Sequence, residues 1–159
     1  VTIGETLDGD GPSVKIEPAV VIEGSSAEGA FANRVPGPYA NYTDAQFLAE
    51  IAERAEARIG GVGAVPGTLK HRRAEALLNR YQSLTGQRQN LVTEQSYLNG
   101  QLVPRGTAGS SRPDVYDPVI GAVFDYKFTV NPGRGIPAAQ RNRNARNLPS
   151  VISQTEINP

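Results

Sequence analysis

The sequence predicts an α/β domain whose core runs helix, strand, strand, strand, helix. Three observations predict it. Apolar residues recur at helical spacing over residues 43–59 and again from Thr68 to about Leu84. An Asn99-Gly100 hairpin signal and a run of alternating residues over 112–128 follow. Pro137 then heads a short helical stretch ahead of Pro149.

Residues 1–40 are rich in Gly, Pro, Ser and Ala. Val14-Lys15-Ile16-Glu17 leading into Val20-Val21-Ile22 suits a strand, but Pro12, Pro18, Pro36 and Pro38 break what surrounds it. The stretch is expected to be a linker or loosely packed leader, with the domain proper over 41–159. Thr43 reads as an N-cap and Gln46, three residues on, completes a capping box. Phe47, Leu48, Ile51, Ala52, Ala55 and Ile59 then share one helix face, and Gly60-Gly61 ends the helix. A second helix is expected from Thr68 to Leu84, with Leu77, Leu78, Tyr81 and Leu84 as its apolar stripe and Glu75 at the margin. Lys70, His71, Arg72 and Arg73 crowd its first turns, unfavourable for the helix dipole unless an anion sits nearby.

Residues 91–97 alternate weakly, and the hairpin pairs Tyr97-Leu98 with Gln101-Leu102-Val103. Residues 106–111 form a flexible loop. Two strands then follow, one carrying Asp114 and one carrying Asp125 and Lys127, joined through Asp117-Pro118 and Gly121. Period-two alternation sends Ala122, Phe124, Tyr126 and Phe128 to a core face and Val123, Asp125 and Lys127 to the other.

Composition narrows the chemistry. Without cysteine there are no disulfides or thiolate metal sites, so a divalent ion would take oxygen ligands or the single histidine, His71. No apolar run approaches the roughly 20 residues of a membrane span, and the first residues do not read as a signal peptide. A soluble domain is expected, and the missing methionine suggests a piece of a longer polypeptide. The net charge of zero is unevenly spread: residues 1–58 hold ten acidic and four basic side chains, net −6, leaving +6 on residues 59–159. A basic part suits a polyanionic partner, since fixed positive charge attracts phosphate, though an ordinary mixed surface reads the same way.

Asp114 and Asp125 on paired strands could hold Mg²⁺, a hard ion that needs one or two carboxylates beside substrate phosphate oxygens. Lys127, two residues beyond Asp125, is expected to lie too far along the strand for a tight ion pair. It would instead reach a water or a phosphate oxygen and stabilise charge building up there. Phosphodiester hydrolysis is the chemistry such a set suggests. Each residue has a plainer alternative: Asp114 and Asp125 as turn or surface acids with Lys127 as an ion-pair partner, Glu75 as a solvated helix residue paired with His71 or Lys70, and Glu94 as a strand-face charge. Asp117 caps the turn before Pro118. His71 is a helix-surface histidine or a general base. Gln140, Arg134, Arg141, Arg143 and Arg146 face phosphates or solvent.

Pro113-Asp114 followed by Asp125-Tyr126-Lys127 resembles the motif of the PD-(D/E)XK phosphodiesterases, the restriction-endonuclease-like superfamily. The resemblance covers about residues 68–147, half of the chain. It implies an α-β-β-β-α-β core with a mixed central sheet flanked by helices, here with an extra N-terminal helix. Ser150-Val151-Ile152-Ser153 is then the candidate last strand. It further implies that Asp114 and Asp125 are metal ligands, Lys127 the catalytic lysine, Glu75 the acidic metal residue of the first core helix, and Gln140 the glutamine of the helix after the motif, with Mg²⁺ or Mn²⁺ as cofactor.

More narrowly, Gly67-Thr68-Leu69-Lys70-His71 with Ala74-Glu75 and Tyr81, residues 94–100 and Asp125-Tyr126-Lys127-Phe128 are similar to nuclease toxin domains at the C-termini of bacterial polymorphic toxins, including Rhs-type and type VI secretion effectors. That implies a DNase released by a secretion system, acting in the cytoplasm of a target cell and restrained in the producer by an immunity protein. A non-catalytic module that binds nucleic acid or protein on a degenerate nuclease fold is the alternative.

Overall fold

The computed structural model describes residues 37–159. The possible strand among residues 14–22 and most of the expected leader lie outside the described residues. Three helices are α1 (Asp44–Ile59), α2 (Ala64–Thr85) and α3 (Ala138–Asn147), and six strands are β1 (Val92–Thr93), β2 (Ser96–Leu98), β3 (Gln101–Val103), β4 (Val115–Asp117), β5 (Ala122–Tyr126) and β6 (Ser153–Ile157). A mixed four-stranded sheet has the order β1-β4-β5-β6. β1/β4 and β4/β5 are antiparallel and β5/β6 is parallel, with α3 as the crossover. The β2–β3 hairpin lies between β1 and β4 in sequence but forms a two-stranded sheet of its own.

Thr43 caps α1 as expected, its hydroxyl accepting from the Gln46 N–H and its own N–H donating to the Gln46 side chain. Phe47, Leu48, Ile51, Ala52 and Ala55 are buried from α1, and Ala74 and Leu78 from α2, against Val115, Ala122, Phe124, Tyr126 and Ile157 of the sheet. Burying the larger of these, such as Phe47, Leu48, Ile51 and Leu78, stabilises by about 1.5–3 kcal/mol each, which is what holds the helix pair to the sheet.

The expected start of the second helix at Thr68 is four residues late. Pro66 and Gly67 lie in the first turn of α2, where amide N–H groups have no partner inside the helix and a proline costs little. Its stripe also differs: Leu84 is 68% exposed, while Lys70, expected on the basic surface, is only 2% exposed. Lys70 Nζ is paired with Glu56 of α1 at 2.7 Å and donates to the Gly61 carbonyl. A buried ammonium with a carboxylate and a carbonyl satisfies the helix junction and is not a phosphate ligand.

Alternation along β5 holds, with one correction. Ala122, Phe124 and Tyr126 do enter the main core, but Val123 on the other face is buried too, in a second cluster with Tyr97, Tyr116 and Leu148 beneath α3 and the hairpin. β5 is thus covered on both faces, which makes this a three-layer arrangement. The last strand is β6, three residues later than the Ser150–Ser153 stretch expected. The Ile152 N–H donates to the Gly121 carbonyl and locks the entry, and Ile157 is the strand's one buried apolar residue. A strand spelled Ser-Gln-Thr-Glu-Ile has too little apolar alternation to be read from sequence.

Tyr39, within the stretch expected as leader, packs edge-on against Phe47 and Tyr81. Arg88 fixes this turn by donating to the Tyr39 and Tyr42 carbonyls while pairing with Asp44 and lying 4.5 Å over the Phe47 ring.

Candidate active site

The β4/β5 register pairs Val115 with Phe124, and continued by one residue it sets Asp114 opposite Asp125. Asp114 lies at a bend just before β4 and not on the strand, and Lys127 lies just past the end of β5. Both positions were expected within strands. Leaving the pleat frees the two side chains from strict alternation.

Asp114 Oδ2 accepts from the Tyr126 N–H at 2.8 Å, and its Oδ1 lies 3.1 Å from His71 Nδ1. Asp125, its side chain 9% exposed, accepts from Gln140 Nε2 at 3.1 Å through Oδ1. Lys127 forms an ion pair with Asp125 Oδ2, against the expectation that it would stand clear. Because Lys127 has left the strand, its long stem can fold back. The Lys127 N–H meanwhile donates to the Ile157 carbonyl at 2.9 Å and fixes where the stem begins. Although the ammonium lies beside it, Oδ2 is buried and receives no well-directed hydrogen bond.

Glu94 joins this group from the junction of β1 and β2, where its φ of +53° is an uncommon conformation for a side-chain-bearing residue. Its N–H donates to the Asp114 carbonyl at 3.2 Å, its carbonyl accepts from Arg112 Nε at 3.0 Å, and its carboxylate pairs with the Arg112 guanidinium. That kink is why residues 91–97 form two strands where one was expected. Glu75, on the next turn of α2 after His71, has no hydrogen bond or ion pair among the described residues and shares a cleft with His71, Glu94 and Arg112.

Close packing of acids shifts their protonation. Burial pushes the Asp125 carboxyl above its ordinary value, and the charge of Asp114 adds to this, while Lys127 and Gln140 oppose it. Burial also raises Glu94, with Asp114 and Glu75 adding repulsion that Arg112 and His71 offset in part. For His71 burial works against the charged form, but the hydrogen bond and charge of Asp114, with Asp125 and Glu94 beyond, outweigh it and raise the imidazole. The buried Tyr126 hydroxyl, pushed strongly upward by burial and by Asp114, stays a neutral phenol.

Asp114, Asp125, Lys127, Gln140 and His71 are therefore brought together, with Glu75 and Glu94 at the edge. Among the described residues no three His, Asp or Glu side chains converge as a ready-made metal cluster. The donor set still suits a hard cation: carboxylate oxygens with spare lone pairs on facing residues, one of them an Asp125 Oδ2 short of hydrogen bonds. Arg134, Arg141, Arg143 and Arg146 are all exposed, and of these Arg143 lines a cleft with Gln140. Asp117 caps the β4–β5 turn as expected, accepting from the Val119 N–H at 2.9 Å.

Arg112 is the residue that sequence reasoning passed over. It stands two residues before Asp114, in a stretch that precedes β4, so strand alternation does not align the two. Comparison with family models, with curated proteins and with solved structures finds no match to this chain.

Proposed function

We propose that this chain is a Mg²⁺- or Mn²⁺-dependent phosphodiesterase that hydrolyses DNA with little sequence preference, on a restriction-endonuclease-like core of the PD-(D/E)XK kind. The observation that carries this reading is Asp125 accepting from Gln140 and pairing with Lys127, with Asp114 opposite it in the strand register. The succession α2, β1, β4, β5, α3, β6 in a mixed sheet supports the core.

In this reading Asp114 and Asp125 would hold the cation, with Glu75 at the edge as a further oxygen donor. A cation held there would supply Lewis-acid polarisation of the phosphoryl group and a more acidic water. Gln140 keeps the Asp125 carboxylate in place, and the Tyr126 N–H does the same for Asp114. Lys127, part-exposed on a flexible stem, turns from Asp125 to a phosphate oxygen as charge develops there.

The test is plasmid cleavage by the purified chain with Mg²⁺ or Mn²⁺, with EDTA and Lys127→Ala as controls. Lys127→Ala is expected to lower the rate at least about a hundredfold, the scale of removing one electrostatic stabiliser. Wild type cutting no faster than the variant sinks the catalytic reading. One observation favours a second reading, a binding module without catalysis: Lys127 already neutralises Asp125. That module would hold DNA with a steep salt dependence and no requirement for metal.

The motif resemblance extends the proposal to biology. The chain would be the toxin module of a longer polypeptide exported by a bacterial secretion system, acting in the target cell's cytoplasm and neutralised by a cognate immunity protein. Cells expressing the wild type are expected to lose chromosomal DNA, and cells expressing Lys127→Ala to keep it.

A further inference from the structure

We propose that Arg112 is a phosphate-positioning residue at the junction of two clefts, and that the substrate is a strand carrying phosphates on both sides of the bond to be cut. Cleavage at this site rests on the phosphodiesterase reading; the positioning of phosphate does not. One cleft, about 270 Å³, is lined by His71, Arg72, Glu75, Glu94, Arg105 and Arg112. A second, about 260 Å³, is lined by Ser110, Arg112, Gln140, Arg143 and Asn144. Arg112 is the wall they share.

The acid pair is reached from both sides of that wall. His71 of the first cleft bonds Asp114, and Gln140 of the second bonds Asp125. A phosphate at the acids therefore has arginines to either side, Arg72 and Arg105 in a cleft that also holds Glu75 and Glu94, and Arg143 in the other.

The guanidinium is built to stay where it is. Nε donates to the Glu94 carbonyl and Nη2 lies against the Glu94 carboxylate, with the side chain 29% exposed. Those contacts leave the two N–H groups of Nη1 without an acceptor among the described residues. An arginine held on one edge of its fork, with the other edge open, offers two donors to an anion at little further entropy cost. Lysine in its place would keep the ion pair with Glu94 and lose the second edge.

The experiment measures binding of a fluorescent twelve-residue DNA duplex in EDTA, where no cleavage occurs, over a range of salt. Arg112→Lys is expected to weaken binding about tenfold, the scale of one charge-assisted hydrogen bond. Arg112→Ala, Arg105→Ala and Arg143→Ala are each expected to lower the log–log salt slope by about one, and Arg80→Ala, on the far groove between α1 and α2, to leave it unchanged. With metal, Arg112→Lys should raise KM for DNA by a larger factor than it lowers kcat, and should lower kcat/KM for DNA more than for bis(p-nitrophenyl) phosphate, which has no neighbouring phosphate.

Should Arg112→Ala fail to fold, Arg112→Lys still decides. Wild-type affinity for DNA in a folded Arg112→Lys, or no binding of DNA by the wild type, overturns the proposal. Arg112-dependent binding without cleavage under any metal leaves the proposal standing and removes the phosphodiesterase reading instead.

Discussion

The Nδ1 atom of His71 stands 3.1 Å from Oδ1 of Asp114, a residue 43 positions further along the chain. This contact ties α2 to the entry of β4, and it favours the protonated imidazole, whose pKa lies above its ordinary 6.5 in the fold. A raised basic group stabilises the fold fully below its unfolded value, and that contribution is lost as pH rises through the folded value. In EDTA, the melting temperature of wild type should exceed that of His71→Asn most at about pH 5.5, and the gap should shrink as pH climbs past about 6.5. A gap that does not change with pH would mean that the contact carries no proton-linked stability.

Asp125 carries the opposite lesson, because its carboxyl is raised above 3.8 chiefly by burial and by Asp114. A raised acid binds more protons folded than unfolded, so stability falls as pH rises from the ordinary aspartate range through the folded value. The site costs stability at neutral pH. Asp125→Asn is therefore expected to melt higher than wild type at pH 7 and to lose that advantage below about pH 4. The same variant should be inactive in plasmid cleavage. A lower melting temperature at pH 7 would show that the contacts with Lys127 and Gln140 outweigh the burial.

Gly121 turns β4 back towards β5 with φ at +65°, and a Cβ there would lie 2.9 Å from Ser150 Oγ and 3.2 Å from the Ile152 backbone nitrogen. The side chain has no room and the backbone conformation is one that L residues rarely adopt. Gly121→Ala should destabilise by about 1–3 kcal/mol, the range for forcing an extra methyl into a packed site. Chemical denaturation would measure it. An unchanged midpoint would show that β6 can move aside.

Local signals made much of the frame readable. The capping box at Thr43 and Gln46, the Asn99-Gly100 turn, the alternation of Ala122, Phe124 and Tyr126 and the proline at the head of α3 each depend on neighbours within a few residues. What could not be read depends on distant partners. Lys70 is buried only because Glu56 arrives from another helix, and β6 is a strand only because β5 offers its parallel edge. The site divides in the same way. Asp125 and Lys127 are near neighbours in sequence, and Gln140 follows them, but the meeting of Lys127 with Asp125 depended on the strand ending at Tyr126. Nothing local to Arg112 announces Glu94, eighteen residues before it.

Asn147 shows how one distant contact organises the second cleft. It is 5% exposed, and its side-chain Nδ2 donates to the Gly109 carbonyl at 2.7 Å and to Ser111 Oγ at 3.1 Å. Its Oδ1 accepts from the Asn99 N–H at 3.4 Å. Through one amide, α3 holds both the tip of the β2–β3 hairpin and the loop that leads to Arg112. In Asn147→Ala the Gly109 carbonyl and the Ser111 hydroxyl are left without this partner, at a cost of about 1–3 kcal/mol. The loss should be local, because β4 and β5 keep their own ladder and both of their cores. Hydrogen exchange is therefore expected to quicken over residues 96–111, including the Tyr97 and Ser111 amides that bridge to each other, while the amides of β5 keep their protection. Faster exchange throughout β5 would show that the hairpin and the sheet open as one unit, and unchanged exchange over 96–111 would show that the Gly100 N–H bond to the Asn147 carbonyl, and not the Asn147 side chain, holds the hairpin.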